Sequence, residues 1–257
     1  MEKVPKEIAD EWVSHVKSQI ARRNERQTLS DTKAPQTEKW YRRTTWSPEI
    51  ERQFRDRNAR SRGDWSRAQY LAVQAAELVR AGFARDGIRL SREVLDTYPD
   101  EKGRWSPCWN TIADGHWSLG ERQEAFEALR HAIDSEVRFP HCRCGSGRKL
   151  AFLLVTNGIP WDIGDVERAL LHDDRPEQED MFPSVRFECA VVRAAIAKAR
   201  GDMAAAARHA ITGSEAMRCT KSGVARHPTV CLVKDVPKGA LDIITSILHS
   251  TPRGADG

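Results

Sequence analysis

The stretch WNTIADGHWSLGERQEAFEALRHAI, residues 109–133, decides the fold. Its first half places Trp109, Ile112 and Ala113 three and four residues apart, which gathers them on one face of a helix. Its second half does the same with Ala125, Leu129 and Ala132. Between the halves stands Gly120, and a glycine there can take the left-handed conformation that ends one helix and lets the chain reverse into the next. The expectation is a helical hairpin.

The break recurs along the chain. Gly82, Gly120 and Gly158 are each separated by 38 residues, and Gly201 follows 43 later. Apolar stripes at helical spacing flank these glycines: Ala68, Leu71, Ala72, Ala75 and Val79 before Gly82, Phe187, Ala190, Val191 and Ala194 before Gly201, and Met203, Ala206, Ala207 and Ala210 after it. No long alternating run of β-branched and aromatic residues marks a strand. A period between 20 and 50 residues is the signature of stacked helical repeats.

Residues 109–133 resemble a unit of the tetratricopeptide-repeat family. Trp109, Ile112 and Ala113 match the large, aliphatic and small positions of its first helix, Gly120 the turn, and Ala125, Leu129 and Ala132 the small, large and small positions of its second. The unit around Gly82 keeps Ala75 and the terminal Pro99, but carries Gly87 and Ser91 where larger or helix-favouring residues are usual. The unit around Gly201 is a small-residue version with Ala194, Ala206 and Ala210. The unit around Gly158 offers Leu150, Ala151 and Leu154, with Ile163 where a small residue is expected. The resemblance covers residues 65–216, with a spacing about one helical turn longer than the usual repeat of about 34 residues. It implies an all-α fold: a TPR-like α-solenoid of about four hairpins whose concave groove holds a partner protein or peptide.

Around this array the sequence divides into a basic N-terminal helical extension, residues 1–64, and the helical-repeat domain, residues 65–257, closed by a capping helix near residues 237–249. Within the extension we expect one helix near residues 6–26 and a second over residues 47–62. Ser47-Pro48, Ser106-Pro107 and Asp64 read as helix starts, and Tyr98-Pro99 and Phe139-Pro140 as stops.

Composition narrows the class. With 40% hydrophobic and 30% charged residues the chain reads as an ordinary globular or helical-repeat protein. No apolar run is long enough to span a bilayer, and the first residues, MEKVPKEIADEWVSHVK, lack the apolar core of a secretory signal. The expectation is a cytoplasmic protein whose six cysteines are reduced thiols. Charge is uneven: between residues 17 and 67, 14 Lys and Arg stand against 7 Asp and Glu, although the whole chain carries only +4.

Four sets of residues are candidates for chemistry or binding. On the expected first helix of the Gly120 unit, Asn110, Asp114 and Trp117 are polar or amphipathic and would face the groove, while Trp109 is assigned to packing. In the basic segment, Arg52, Arg55, Arg57 and Arg60 lie among aromatics, a combination that suits an acidic protein surface or, as the alternative, nucleic acid. The string Cys142-x-Cys144-Gly-Ser-Gly-Arg-Lys resembles the first half of the zinc-binding SEC-C motif. The following LAFLLVTNG supplies no second ligand pair, so His141, Cys142 and Cys144 are zinc candidates without a completed set, and no cofactor is expected. Finally, His172-Asp173 resembles the doublet of HD-family metal-dependent phosphohydrolases, for which His131 or His141 and Asp202 would be needed as further ligands. Nothing around those residues matches that family, and a histidine at a helix end commonly meets unpaired carbonyls. A binding protein is therefore the first reading and an enzyme the third.

Overall fold

The computed structural model describes Ser18, residues 39–173 and residues 175–250. The helix expected near residues 6–26 lies outside the described residues. Among the described residues the chain is all-helical. Its compact units divide between Ser146 and Gly147.

The first unit begins with α1, Pro48–Ala59, whose start obeys local chemistry: Ser47 Oγ accepts the Ile50 N–H at 3.2 Å, and Pro48 and two acidic residues occupy the first turn. Then follow α2, Gly63–Arg80, α3, Ala84–Thr97, α4, Trp105–Ser118, and α5, Arg122–Arg138. The helix stops at Tyr98 and Phe139 fall where the following prolines exclude further helix. Two of the expected starts are different: α2 opens one residue before Asp64, and Ser106 lies inside α4, buried and hydrogen-bonded to a carboxylate instead of capping a helix.

Helices α2 and α3 form one hairpin, α4 and α5 a second. The hairpins lie against each other, α3 on α4, with α2 also reaching α4. The turns are as the periodic glycines require. Gly82 has φ 92° and Gly120 φ 78°. Around each, two reversed hydrogen bonds close the helix end: Gly82 N–H to Val79 O and Phe83 N–H to Leu78 O, then Gly120 N–H to Trp117 O and Glu121 N–H to His116 O.

The core of this unit is built from Phe54, Ala68, Leu71, Ala75, Leu78, Leu90, Val94 and Cys108, with Trp40, Tyr41 and Trp46 packed against it. The residues from Trp40 to Ala59, grouped in the sequence reading with an extension ending at residue 64, thus share a core with α2 and α3. Gly87 departs from the repeat pattern for a steric reason. A Cβ there would meet Val79 Cγ2 at 2.5 Å and Ala75 O at 2.7 Å, so its absence sets how closely α3 lies on α2.

The second unit contains α6, Ser146–Thr156, whose first residue belongs to the first unit, and then α7, Ile163–His172, α8, Pro176–Met181, α9, Pro183–Ala199, α10, Met203–Arg218, and α11, Lys238–Ser250. Helices α9 and α10 form its hairpin, and α11 covers both. Gly201, φ 81°, again carries the reversed bonds, Gly201 N–H to Lys198 O and Asp202 N–H to Ala197 O. Gly158 is left-handed as well, φ 64°. The stripes Phe187, Ala190, Val191, Ala194 and Ala206, Ala207, Ala210 are buried.

Candidate functional site

The Arg-rich helix α1 presents two chemically distinct sets of side chains. Arg55 forks onto the Glu93 carboxylate with two bonds of 2.8 Å and also reaches Glu51 at 2.8 Å. From α3, Arg89 grips Glu51 with bonds of 3.0 and 2.7 Å and also contacts Asp86. Glu51 thus ties α1 to α3. Burial pushes its carboxyl up, but the bonds and charges of Arg89 and Arg55 outweigh that and leave it below the usual carboxylate range. Arg55 is held protonated chiefly by its hydrogen bonds to Glu93. Arg52 pairs with Glu49 one turn away. Two of the four candidate arginines are therefore already neutralised by the protein itself.

Arg57 and Arg60 are not. Among the described residues neither forms an ion pair: the Arg57 guanidinium sits 5.8 Å from the centre of the Trp40 ring, and Arg60 Nε donates to the Asp56 carbonyl at 3.1 Å. Both line a pocket of about 280 Å³ together with Arg43, Gln53 and Asp56, over a floor of Trp40, Ile50 and Phe54. The wall that carries Arg43 is fixed by Gln74. This fully buried amide of α2 accepts the Arg43 N–H at 2.9 Å and donates to the Arg43 carbonyl at 2.8 Å. Sequence reasoning missed Gln74, although a polar residue inside the stripe of Leu71, Ala75 and Leu78 was the available signal. The aromatic floor is set by Trp40 against Phe54 and Tyr70, with ring centres 5.5 and 4.8 Å apart.

The α4 candidates separate in the same way. Asp114 is exposed. Trp117 is half-buried, 6.0 Å from the Phe126 ring and flanked by the Arg122 guanidinium at 5.9 Å. Asn110 does not belong with them. Its Nδ2 donates to Ser146 Oγ at 2.7 Å and to the Ser106 carbonyl at 3.0 Å, inside a polar knot around Glu136. Glu136 is fully buried, and one of its oxygens accepts from Ser106 Oγ at 2.6 Å, Ser146 Oγ at 2.5 Å and the Cys144 N–H at 2.8 Å. Three donors on one buried carboxylate satisfy a group that would otherwise be costly to bury. Trp109 is half-buried and stacks on His131 at 4.6 Å, while Cys108, Ile112 and Ala113 of the same helix are the deeply buried residues.

In the loop that resembles half of a zinc motif, Cys142 is half-buried in a single 3₁₀ turn, and His141 and Cys144 are exposed. Among the described residues these three do not bring their ligand atoms within 4.8 Å of one another. The backbone of Cys144 serves the Glu136 knot instead. In the second unit His172 is the last residue of α7, and Asp173 is its buried cap. Asp173 Oδ2 accepts the Arg148 N–H at 2.7 Å in the first turn of α6, so the backbone N–H of Asp173 closes α7 while its carboxylate caps α6. Asp202 caps α10 by accepting the Ala205 N–H at 2.8 Å.

A second pocket, about 330 Å³, lies between α7, α9 and α10, beside the exposed Leu171. Its arginines are paired: Arg193 forks onto Glu179 at 2.8 and 2.7 Å, and Arg200 meets Glu167 at 2.7 Å. Burial, with Arg193 and Arg208 nearby, lowers the proton affinity of its His209. Among the described residues no helix is long and apolar enough to cross a membrane. No protein-family model, curated protein or solved structure matches this chain.

Proposed function

We propose that this chain is a cytoplasmic adaptor or scaffold of the tetratricopeptide-like kind, a solenoid that holds a segment of a partner protein against the first helices of its hairpins. The observation that carries the reading is the repeated unit: helix, left-handed glycine with paired reversed hydrogen bonds, helix, at Gly82, Gly120 and Gly201. In the first unit two such hairpins lie together with α2 reaching α4, so the first helices share a surface. Stacked hairpins of this geometry leave one face of their first helices outside the core. On α4 that face offers the Asp114 carboxylate and the half-exposed Trp117, an acidic and an aromatic contact of the kind that anchors peptides. Arg52 and Arg55, which the sequence assigned to docking, are engaged by Glu49, Glu51 and Glu93 and play no part in this proposal. In the His172-Asp173 doublet, Asp173 caps the first turn of α6.

The test is affinity capture from native lysate with and without nuclease, comparing wild type with Trp117→Ala and Asp114→Lys. The expected outcome is a stoichiometric protein that survives nuclease and is depleted at least tenfold by either variant, while both variants melt like wild type. Capture that nuclease abolishes, or that neither variant alters, would sink the adaptor reading.

A further inference from the structure

The pocket between α7, α9 and α10 lies wholly within the second unit, and its lining selects against charge. Buried Ile196 and Ala197 of α9 line it together with Leu170 of α7 and Ala205 of α10. Four charged side chains share the lining, and their formal charges cancel: Arg193 and Arg200 against Glu167 and Asp202. Each is engaged. Arg200 meets Glu167, Arg193 forks onto Glu179 of α8, and Asp202 caps α10. An ion entering here finds no unanswered charge. His209 differs from the other polar groups of the lining, because its ring has no hydrogen-bond partner among the described residues. Burial, with Arg193 and Arg208 nearby, outweighs the pull of Glu179 and Asp202 and keeps this imidazole neutral at neutral pH. One of its nitrogens then donates and the other accepts.

We propose that this pocket takes the tyrosine side chain of a partner polypeptide. The apolar lining calls for an apolar body, but a purely aliphatic one would cover His209 and leave its nitrogens unpaired, which disfavours it. An aromatic ring also gains against the guanidinium groups of Arg193 and Arg200, which their carboxylates hold in place. A hydroxyl at the tip of the ring suits the imidazole best. It donates to one nitrogen or accepts from the other, whereas an indole N–H only donates. The volume of about 330 Å³ stands at the lower end of the roughly 300–1,000 Å³ usual for ligand pockets, and it suits one ring. The source is a polypeptide and not a free phenol for a reason at the rim. Leu171 shares the lining and is 69% exposed. A small molecule in the pocket leaves that side chain in water, while a residue next to the tyrosine can cover it. The site does not depend on Asp114 and Trp117 and can be filled whether or not the face of α4 holds a partner.

The experiment is NMR titration of the full chain at pH 7.5 with four probes. These are a blocked tetrapeptide with tyrosine followed by leucine at its centre, its twins with phenylalanine or phosphotyrosine in place of the tyrosine, and p-cresol, which is the tyrosine side chain alone. The tyrosine peptide is expected to bind about fivefold more tightly than the phenylalanine twin and at least threefold more tightly than p-cresol. The phosphotyrosine twin should bind more weakly than either peptide, since the arginines of the lining are already answered. Leu171→Ala should bring the tyrosine peptide down to the affinity of p-cresol and leave p-cresol itself unchanged. His209→Leu should erase the preference for tyrosine over phenylalanine. Leu171→Ala, at an exposed position, keeps the test interpretable if His209→Leu disturbs folding. Trp117→Ala should alter none of these affinities, which separates this result from that of the adaptor reading. The proposal is overturned by the tyrosine peptide failing to bind at 10-millimolar concentration or by tyrosine and phenylalanine peptides binding alike. It is also overturned by p-cresol matching the tyrosine peptide, which would make this a small-molecule pocket, or by the phosphotyrosine twin binding more tightly than the tyrosine peptide.

Discussion

The two units use the same kind of helical hairpin and fill it differently. In the first unit large residues share the deepest positions with alanines: Phe54, Leu71, Leu78, Leu90, Ile112 and Leu129 beside Ala68, Ala75, Ala125 and Ala132. In the second, the hairpin of α9 and α10 buries Ala190, Ala194, Ala195, Ala206, Ala207, Ala210 and Ala216. Gly213 of α10 is close enough to Ala190 that an added Cβ would lie 3.6 Å from its methyl group. Large side chains stabilise by the apolar area that each withdraws from water. Small ones contribute little area apiece and work by letting backbones approach until dispersion contacts are dense. The hairpin motif is thus indifferent to how its interior is filled, but its tolerance of mutation is not.

That contrast can be broken in opposite directions. Leu129→Ala should destabilise the first unit by about 2–5 kcal/mol, because a fully buried leucine leaves a cavity that its neighbours fill only in part. In the second unit Ala194→Leu, at a fully buried position, should cost about 1–3 kcal/mol through overpacking. Hydrogen exchange resolved by residue reads both, since each unit reports on its own opening. If Leu129→Ala is tolerated while Ala194→Leu is not, the first unit is not held by its large side chains.

A smaller effect tests a place where the first unit also relies on smallness. Gly87→Ala sets a methyl group against Val79 and the Ala75 carbonyl. Overpacking costs about 1–3 kcal/mol, and the better helix propensity of alanine returns about 0.5–1. A net loss of about 1 kcal/mol in denaturant unfolding is expected; a gain would mean that α2 and α3 separate easily.

The smallest effect concerns the ion pairs between α1 and α3. The Glu51 carboxyl is held below its ordinary range, so its contribution is present above the unfolded value and is lost as pH falls through the folded one. The melting temperature of wild type should exceed that of Glu51→Gln at pH 7. The gap should close progressively on acidification below the usual carboxylate range. A gap that stays constant to pH 3 would show that Glu51 acts by packing and not by charge.

Most of the hairpin architecture was legible in the residues, because each signal is local. A left-handed glycine, a serine before a proline and a tyrosine before a proline constrain their own backbone whatever surrounds them, and the turns at Gly82, Gly120 and Gly201 followed. Ser106 misled because a serine before proline is equally at home donating to a buried carboxylate, and Glu136, 30 residues away, supplies one. Asn110 misled for the same reason. Its neighbours on the helix are polar enough for a groove, but its partner Ser146 arrives from the start of α6, 36 residues away. Trp109, assigned from the sequence to packing, is half-buried, and the deeper burial passes to Cys108 and Ile112 beside it.

What the residue order determined by itself is therefore the helices, their reversals and the faces they bury, all consequences of spacing within one or two turns. What only the tertiary structure decided is which charges remain available. Arg52, Arg55, Arg57 and Arg60 are alike in sequence, each on a basic helix among aromatics. The charge of Arg55 is answered by Glu93, a residue of α3 that packing brings alongside, and that of Arg52 by Glu49 on its own helix. Arg57 and Arg60 keep theirs because their side of α1 meets Trp40 and Arg43. Side-chain charge acts over a few ångströms, and neighbours at that distance are chosen by the packing of helices, not by their order along the chain.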